Sequence, residues 1–379
     1  MPGAFGWRPG KRAKSRAESR RRVPRAAALL PMPFTVTVQP SGKTFSVERD
    51  EPILQAAIRQ GIGLPYGCRD GACGSCKCRM LEGRVIHGAH QLKALSPEEE
   101  AAGLVLTCQA APQSDVVLEA RTVPGAGEFA IRKLPSRVVS IDKPAPDVAV
   151  LRLQLPANDL FQYRAGQYVE FILRDGSRRS YSMANAPHTI VDKPQIELHL
   201  RHLPGGKFTD HVFTAMKEKD ILRVEGPFGS FFLRDEDSAK PIVLLASGTG
   251  FAPIKAIIEH MIWKGSERKA ILYWGCRSKA DLYMNEWAEE ATRRMAHLRY
   301  IPVLSEPKPE DLWHGRTGLV HQAVMHDLPN LMEHQVYACG APIMVESAQR
   351  DFIARCGLPD DEFYADSFTS EADKHGPMA

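Results

Sequence analysis

Four cysteines carry the most specific spacing in the chain. Cys68, Cys73 and Cys76 follow C-x4-C-x2-C, and Cys108 lies further along. That is the spacing of plant-type [2Fe–2S] ligation, in which two irons and two bridging sulfides need four thiolates converging from one side. Gly67, Gly71 and Gly74 would let a tight loop curl around such a cluster, because glycine tolerates positive φ and close approach. Loop amides would then hydrogen-bond the sulfurs and tune the potential. Zinc competes for the same residues through Cys73-x2-Cys76 with His87-x2-His90. The histidine spacing is tight for a zinc finger, however, and Cys68 and Cys108 would have no role. Cys78 reads as a small strand residue, and Cys276 and Cys356 as packing.

A second constellation is Arg178-Arg179-Ser180-Tyr181-Ser182. A flavin needs an aromatic against its rings, a hydroxyl or amide near N5 and a cation for its pyrophosphate. Tyr181, Ser182 and Arg179 offer those chemistries, and the alternation puts Arg179 and Tyr181 on one strand face. Gly205-Gly206-Lys207-Phe208-Thr209 enters a helix, where free amides and the helix dipole favour phosphate. Each segment taken singly is also what an ordinary surface strand or turn looks like.

The third constellation is Gly248-Thr249-Gly250-Phe-Ala-Pro253 after an apolar run, a strand, glycine turn and helix start suited to a dinucleotide phosphate. It is not G-x-G-x-x-G, and a plain tight turn is the bland alternative. Cys339-Gly340-Ala-Pro342 repeats the device, and Trp274-Gly-Cys-Arg277 resembles it. All three fall where parallel sheets bind ligands, beyond the carboxyl ends of strands.

The surrounding pattern predicts what positions these residues. Phe34–Gln39 and Thr44–Glu48 alternate as strands, Ile53–Gln60 reads as an amphipathic helix, and short strands recur at Gly83–His87, Leu104–Thr107 and Val116–Glu119. That suits a compact α+β domain of β-grasp type over residues 33–122. Residues 123–134 read as a linker. Strand follows strand over 135–236 (Arg137–Ile141, Val148–Gln154, Gln167–Leu173, Ile196–Leu200, Asp220–Val224), with one helix at Thr209–Met216, as in an antiparallel barrel. Over 237–372 strands and helices alternate, as in a doubly wound parallel sheet, and 373–379 is a tail. The expected class is therefore multidomain: α+β, all-β and α/β in turn.

At 379 residues and 44% hydrophobic, the chain is a globular protein of several domains, not a disordered or fibrous one. The net charge of +4 comes from one segment. Residues 1–33 hold nine Lys or Arg against one Glu, leaving 40 basic and 44 acidic residues elsewhere. A mildly acidic body argues against a nucleic-acid-binding core. Residues 1–32 read as a basic disordered arm or a mis-assigned start before Met32, without a secretory apolar region. No membrane span is expected, since the most apolar stretch, Pro241–Trp263, contains Lys255, Glu259 and Gly-Thr-Gly. Clustered thiols point to a cytoplasmic metal or iron–sulfur protein rather than a disulfide framework.

Taken in order, C-x4-C-x2-C…C, R-x-Y-S, G-T-G-x-A-P and C-G-x-P resemble the ferredoxin–NAD(P)H reductase superfamily with an N-terminal plant-type ferredoxin domain, over essentially residues 33–370. Oxygenase reductases for phenol, toluene and benzoate look like this. Arg179–Pro187, Gly226–Phe232, Gly248–Pro253, Val336–Gly340 and Phe363–Phe368 more closely resemble the CDP-6-deoxy-Δ3,4-glucoseen reductase family. The resemblance implies FAD, NADH (or NADPH) and a [2Fe–2S] cluster, with electrons leaving for a dehydrase or oxygenase component. It implies that Arg179, Tyr181 and Ser182 hold the flavin, with Gly206, Lys207 and Thr209 at its phosphates. It also implies Ser182 at flavin N5 and Cys339 at nicotinamide C4, beside Gly248, Thr249, Gly250 and Gly340. Asp366 and Phe368 would be the acid and aromatic beside the flavin, although the acid is Asp and eleven residues follow Phe368. A non-catalytic electron-carrying subunit and a nucleic-acid-binding basic arm are the readings from other classes.

Overall fold

The computed structural model describes Gly3, residues 32–158 and residues 160–369. The tail at 373–379, and the arm assigned to residues 1–32 apart from Gly3 and Met32, lie outside the described residues.

The first sheet uses β1 (Phe34–Gln39), β2 (Lys43–Val47), β3 (Lys77–Glu82), β5 (Leu104–Leu106) and β7 (Val116–Glu119), in the order β2-β1-β7-β3-β5. β4 (Val85–His87) and β6 (Ala110–Pro112) pair separately. Strand alternation sends Val36 and Val38 inward, onto the buried face of α1 (Ile53–Arg59) formed by Ile53, Leu54, Ala56 and Ala57. The short helix α2 (Pro97–Ala101) opens with a capping box between Ser96 and Glu99. β1 and β7 run parallel while β1–β2, β3–β5 and β3–β7 are antiparallel, a mixed β-grasp sheet.

The second sheet orders β8 (Arg132–Ala145), β9 (Val148–Gln154), β10 (Tyr168–Ile172), β11 (Arg178–Ser182), β12 (Gln195–Arg201) and β13 (Ile221–Phe228) as β11-β10-β13-β8-β9-β12. The bridge Met183↔Leu198 joins the outer strands and closes the barrel. A single α-helix, α3 (Lys207–Thr214), accompanies it. β8 begins at Arg132, inside the segment read as linker. That segment is also packed: Val123 and Ala126 are buried with Phe232, and Val123 N donates to Gly63 O.

The third sheet is wholly parallel. It contains β14 (Ile242–Ser247), β15 (Ala270–Cys276), β16 (Leu298–Leu304), β17 (Arg316–Thr317), β18 (Gln335–Gly340) and β19 (Phe363–Ser367), in the order β17-β16-β15-β14-β18-β19. α4 (Phe251–Trp263) and α5 (Asn285–Arg294) contribute to the core on one face, α6 (Val320–Asp327) and α7 (Pro342–Cys356) to the core on the other. The strand order reverses between β14 and β18, which opens a crevice at their carboxyl ends. Pro302 lies within β16, although proline is as a rule excluded from central strands. It is tolerated here because the β17 ladder reaches only Val303 and Leu304. No helix among the described residues is long and apolar enough to cross a membrane.

Candidate functional site

Cys68, Cys73 and Cys76 lie in the loop between α1 and β3, and Cys108 lies between β5 and β6. Gly71 and Gly74 take positive φ (78° and 77°), which lets that loop curl. The thiols meet in pairs, Cys68 with Cys73 and Cys76 with Cys108. The hydrogen bond from the Cys68 thiol outweighs burial and holds Cys73 down to about 6, helped by the Cys68 amide 3.4 Å from its sulfur. The same sharing, with burial, pushes Cys68 up, and Cys76 does likewise to Cys108. Among the described residues no three His, Cys, Asp or Glu side chains are grouped so as to hold a metal ion. Two thiol pairs suit two irons and do not suit one tetrahedral zinc. The imidazoles of the zinc reading are turned to their own neighbours, His87 Nδ1 to Glu100 Oε1 and His90 Nδ1 to Gly88 O, each at 2.9 Å.

In the barrel, β10 and β11 pair so that Tyr168 faces Ser182 and Val169 faces Tyr181 across the ladder. The Tyr181 ring sits against Phe171 and Phe208, with centroids 5.8 and 5.6 Å away. Gly206 caps α3 with no side-chain hydrogen bond, so the first helical amides are free for an anion. Two expected phosphate partners are otherwise engaged. Lys207 Nζ is 2.7 Å from Asp175, and the Thr209 hydroxyl donates to Leu203 O (3.1 Å) while accepting from Leu203 N (3.3 Å).

At the switch point, β18 and β19 put Cys339 directly opposite Asp366. Ser182 Oγ donates to Asp366 Oδ2 at 3.3 Å, and Cys339 Sγ lies 3.9 Å from the same oxygen. Two residues from two sheets thus converge on the Asp366 carboxyl. Burial, with the charge of Cys73 adding to it, pushes Asp366 up to about 7, against the hydrogen bonds from Ser182 and Cys339. Burial, and then Asp366, also raises the Cys339 thiol, which is therefore neutral. Phe368 N donates to Gly340 O at 2.8 Å. The glycines divide the labour differently from expectation. Gly248 has φ +52°, whereas a Cβ on Gly250 would stand 2.2 Å from Cys339 O, so Gly250 answers a packing demand between β14 and β18.

One cavity of about 1940 Å³ reaches all of these elements, bounded by Cys68 and Cys108, by Tyr181 and Ser182, and by Gly248 and Asp366. Arg179, Gly206, Lys207, Thr209, Thr249, Gly340 and Phe368 also border it, while Cys73, Cys76, Gly250 and Cys339 do not. Cys339 is fully buried beneath this wall.

Sequence reasoning missed two sets of residues. The cluster loop is tied to the barrel by Tyr168 Oη donating to Gly67 O (2.8 Å) and by Ser230 Oγ bonding both Tyr66 N and Tyr66 O (2.9 Å each). Arg69 adds an ion pair to Glu170 at 2.5 Å and lies over the Phe228 ring at 3.7 Å. It does so from a left-handed backbone (φ 64°), a conformation costing a non-glycine residue roughly 1–2 kcal/mol. The sequence signal was Glu170, a lone carboxylate inside the apolar run Tyr168-Val-Glu-Phe-Ile172.

The second set joins the barrel to α4. Buried Lys255 contacts Glu259 (2.6 Å), Glu197 (3.2 Å) and Ala184 O (3.0 Å), and Glu259 accepts from Ala186 N (2.9 Å). His199 bridges Glu197 (3.1 Å) and Tyr283 (2.8 Å). Burial would raise Glu197, but the His199 hydrogen bond and the charges of Lys255 and Arg152 outweigh it and hold the carboxyl below its usual range. Burial lowers His199 despite Glu197, so the imidazole is neutral and Lys255 and Arg152 balance the carboxylate.

Comparison with known proteins agrees with this arrangement. Residues 36–113 match the 2Fe-2S iron-sulfur cluster binding domain, 135–233 the oxidoreductase FAD-binding domain, and 244–350 the oxidoreductase NAD-binding domain. The chain is 39% identical to the CDP-6-deoxy-L-threo-D-glycero-4-hexulose-3-dehydrase reductase of Yersinia pseudotuberculosis, over 89% of this chain and 99% of that one. It is 34% identical to reductase component 2 of the terephthalate 1,2-dioxygenase of a Comamonas species, over 91% and 100%. The crystal structure of the Amycolatopsis reductase GcoB superposes with a TM-score of 0.73 at 33% identity, covering 89% of this chain and 99% of that one.

Proposed function

This chain belongs to the family of NAD(P)H-dependent flavoprotein reductases with an N-terminal [2Fe–2S] domain, and from that premise we propose that it takes electrons from NADH and delivers them singly to a dehydrase acting on a CDP-linked 6-deoxyhexulose. The observation that carries the reading is the single cavity bordered by Cys68 and Cys108, Ser182, Gly248 and Asp366. Bound FAD and the cluster supply the conversion of a two-electron hydride donor into one-electron deliveries.

The chain's own residues supply geometry. Cys68 with Cys73 would hold one iron and Cys76 with Cys108 the other. Arg179, Tyr181 and Ser182 hold the flavin, and the free amides after Gly206 take its phosphate, with Lys207 at the rim and Thr209 shaping the turn. Gly248, Thr249 and Gly340 admit the dinucleotide, and Gly250 keeps β14 and β18 close enough to form its floor. Asp366 accepts from Ser182 Oγ at the cavity wall and from Cys339 Sγ buried behind it, which fixes the hydroxyl at the reacting face and the thiol beneath that face. Phe368 covers that face.

NADH rather than NADPH fits the cations after β15. Arg277 lies 3.5 Å from Asp147 and 3.8 Å from Asp281, so carboxylates already engage the guanidinium a 2′-phosphate would need, and Lys279 Nζ donates to Asp311 O at 3.4 Å. Cysteines clustered as cluster ligands rather than as a disulfide framework support a cytoplasmic location.

The test is anaerobic addition of NADH to the purified holoprotein. The yellow flavin absorbance should bleach first and the red-brown cluster absorbance after it, and a flavin left unbleached would sink the reading. The dehydrase should then accelerate reoxidation. Acceleration by a terephthalate-type oxygenase instead would move the chain to the second reading, favoured by its full-length likeness to that reductase component.

A further inference from the structure

We propose that Arg69 is a positioning residue that clamps the iron–sulfur loop onto the flavin barrel and thereby sets the rate at which electrons cross from flavin to cluster, without acting on the hydride step. The inference rests on the functional reading above and adds a residue whose chemistry is purely geometric.

Arg69 follows directly on Cys68, so its side chain is the shortest lever available on that thiolate. The lever is fixed at its far end in two directions. Glu170 Oε2 takes the guanidinium at 2.5 Å, and the Phe228 ring supports its face at 3.7 Å. Glu170 is itself immobilised: it is 4% exposed and receives a second guanidinium, Arg178, at 2.8 Å. Glu170 and Phe228 come from β10 and β13, adjacent strands of the barrel. Gly67 on the other side of Cys68 is gripped by Tyr168, again from β10. Both chain neighbours of Cys68 are therefore held by the strand that pairs with β11, where Tyr168 faces Ser182 and Glu170 faces Ser180.

The consequence is specific. Cys68 borders the cavity with Ser182, and the path between them crosses a single pair of hydrogen-bonded strands. Electron transfer depends on that separation remaining constant. Releasing Arg69 frees the loop at the thiolate facing the cavity, while Ser182, Asp366 and the nicotinamide crevice keep their own supports.

The experiment compares unaltered holoprotein with Arg69→Ala, Arg69→Lys and Glu170→Gln by anaerobic stopped flow with NADH, following flavin and cluster absorbance separately. Amide hydrogen exchange over residues 66–70 and 228–230 is measured in parallel. In Arg69→Ala, cluster reduction should slow roughly tenfold or more while flavin bleaching stays within about twofold, and exchange at 66–70 should rise. Arg69→Lys should recover part of the cluster rate, because it keeps the charge for Glu170. If Arg69→Ala fails to retain its cluster, Glu170→Gln must give the same split of rates. Unchanged cluster reduction in both variants overturns the proposal, as does equal slowing of both steps, which would make Arg69 a general stabiliser. Failure of NADH to bleach the unaltered flavin would instead overturn the functional reading, and unchanged exchange at 66–70 would then still refute the clamp.

Discussion

The two seams of this molecule are built from different chemistry. Between the iron–sulfur domain and the barrel, the contacts are direct and crowd around one loop. Tyr66, Gly67 and Arg69 each bond a barrel residue, and Tyr168 and Phe228 are buried in the core of the iron–sulfur domain. Between the barrel and the nucleotide-binding domain, the anchor is the buried charge cluster around Lys255, while beside it the cavity stays open at Gly248 and Thr249. The first seam carries only electrons, which need a fixed distance and no passage of matter. The second must admit and release a dinucleotide, so its buried anchor stands beside the crevice, and lighter contacts, Ser182 to Asp366 and Arg277 to Asp147, join the two sides at the cavity wall.

The largest effect that would break this contrast is at the cluster. Cys73→Ser should abolish the cluster spectrum while NADH still bleaches the flavin, read by anaerobic absorbance, because the anchor of the nucleotide seam at Lys255, Glu197 and Glu259 lies outside the loop. Loss of both together would mean the seams are not independent.

Next in size is the charge cluster. Lys255→Met leaves Glu197 and Glu259 buried without their shared cation, and removing one partner of a buried pair costs about 3–5 kcal/mol. Thermal unfolding should show a clear drop in Tm, with the cluster spectrum intact at low temperature.

Acid offers a graded version of the same test. Glu197 is held below its ordinary value when folded, so its contribution is fully present above the unfolded glutamate value of about 4.3 and is lost as pH falls below it. A Tm profile descending from pH 7 should therefore stay flat for this group and fall steeply only below about pH 4–5. Glu197→Gln should remove that part of the slope, and an unchanged profile would place the acid sensitivity elsewhere.

The smallest effect is expected at Cys339. Cys339→Ala should slow flavin bleaching by NADH several-fold with FAD content unchanged, because Asp366 keeps its bond from Ser182. An unaltered rate would remove the thiol from the hydride step.

Much of this architecture was legible because it is local. The cysteine spacing, the strand alternation at Val36 and Val38 and the apolar run into Gly248 each lie within a few residues, and each led to the right kind of element. Asp366 was named as a site acid, but β19, which carries it to Cys339, went unread in its short, mixed Phe-Tyr-Ala-Asp-Ser run. The seams were invisible for a different reason. Tyr168 and Gly67 are 101 positions apart, and Ser230 and Tyr66 are 164 apart, and no periodicity in one sequence links such pairs. Lys255 was noticed only as an argument against a membrane span. Its i,i+4 partner Glu259 and its burial in an apolar helix were the traces of an interdomain anchor.

Alternate residues of β10 serve two masters. Tyr168 belongs to the core of the neighbouring iron–sulfur domain, whereas Val169 and Phe171 fill the barrel. Anyone grafting a foreign redox module onto this scaffold would gain little by tuning the connecting peptide. The graft would have to reproduce a partner for every second rung of that strand, and a one-residue slip would exchange the two sets wholesale.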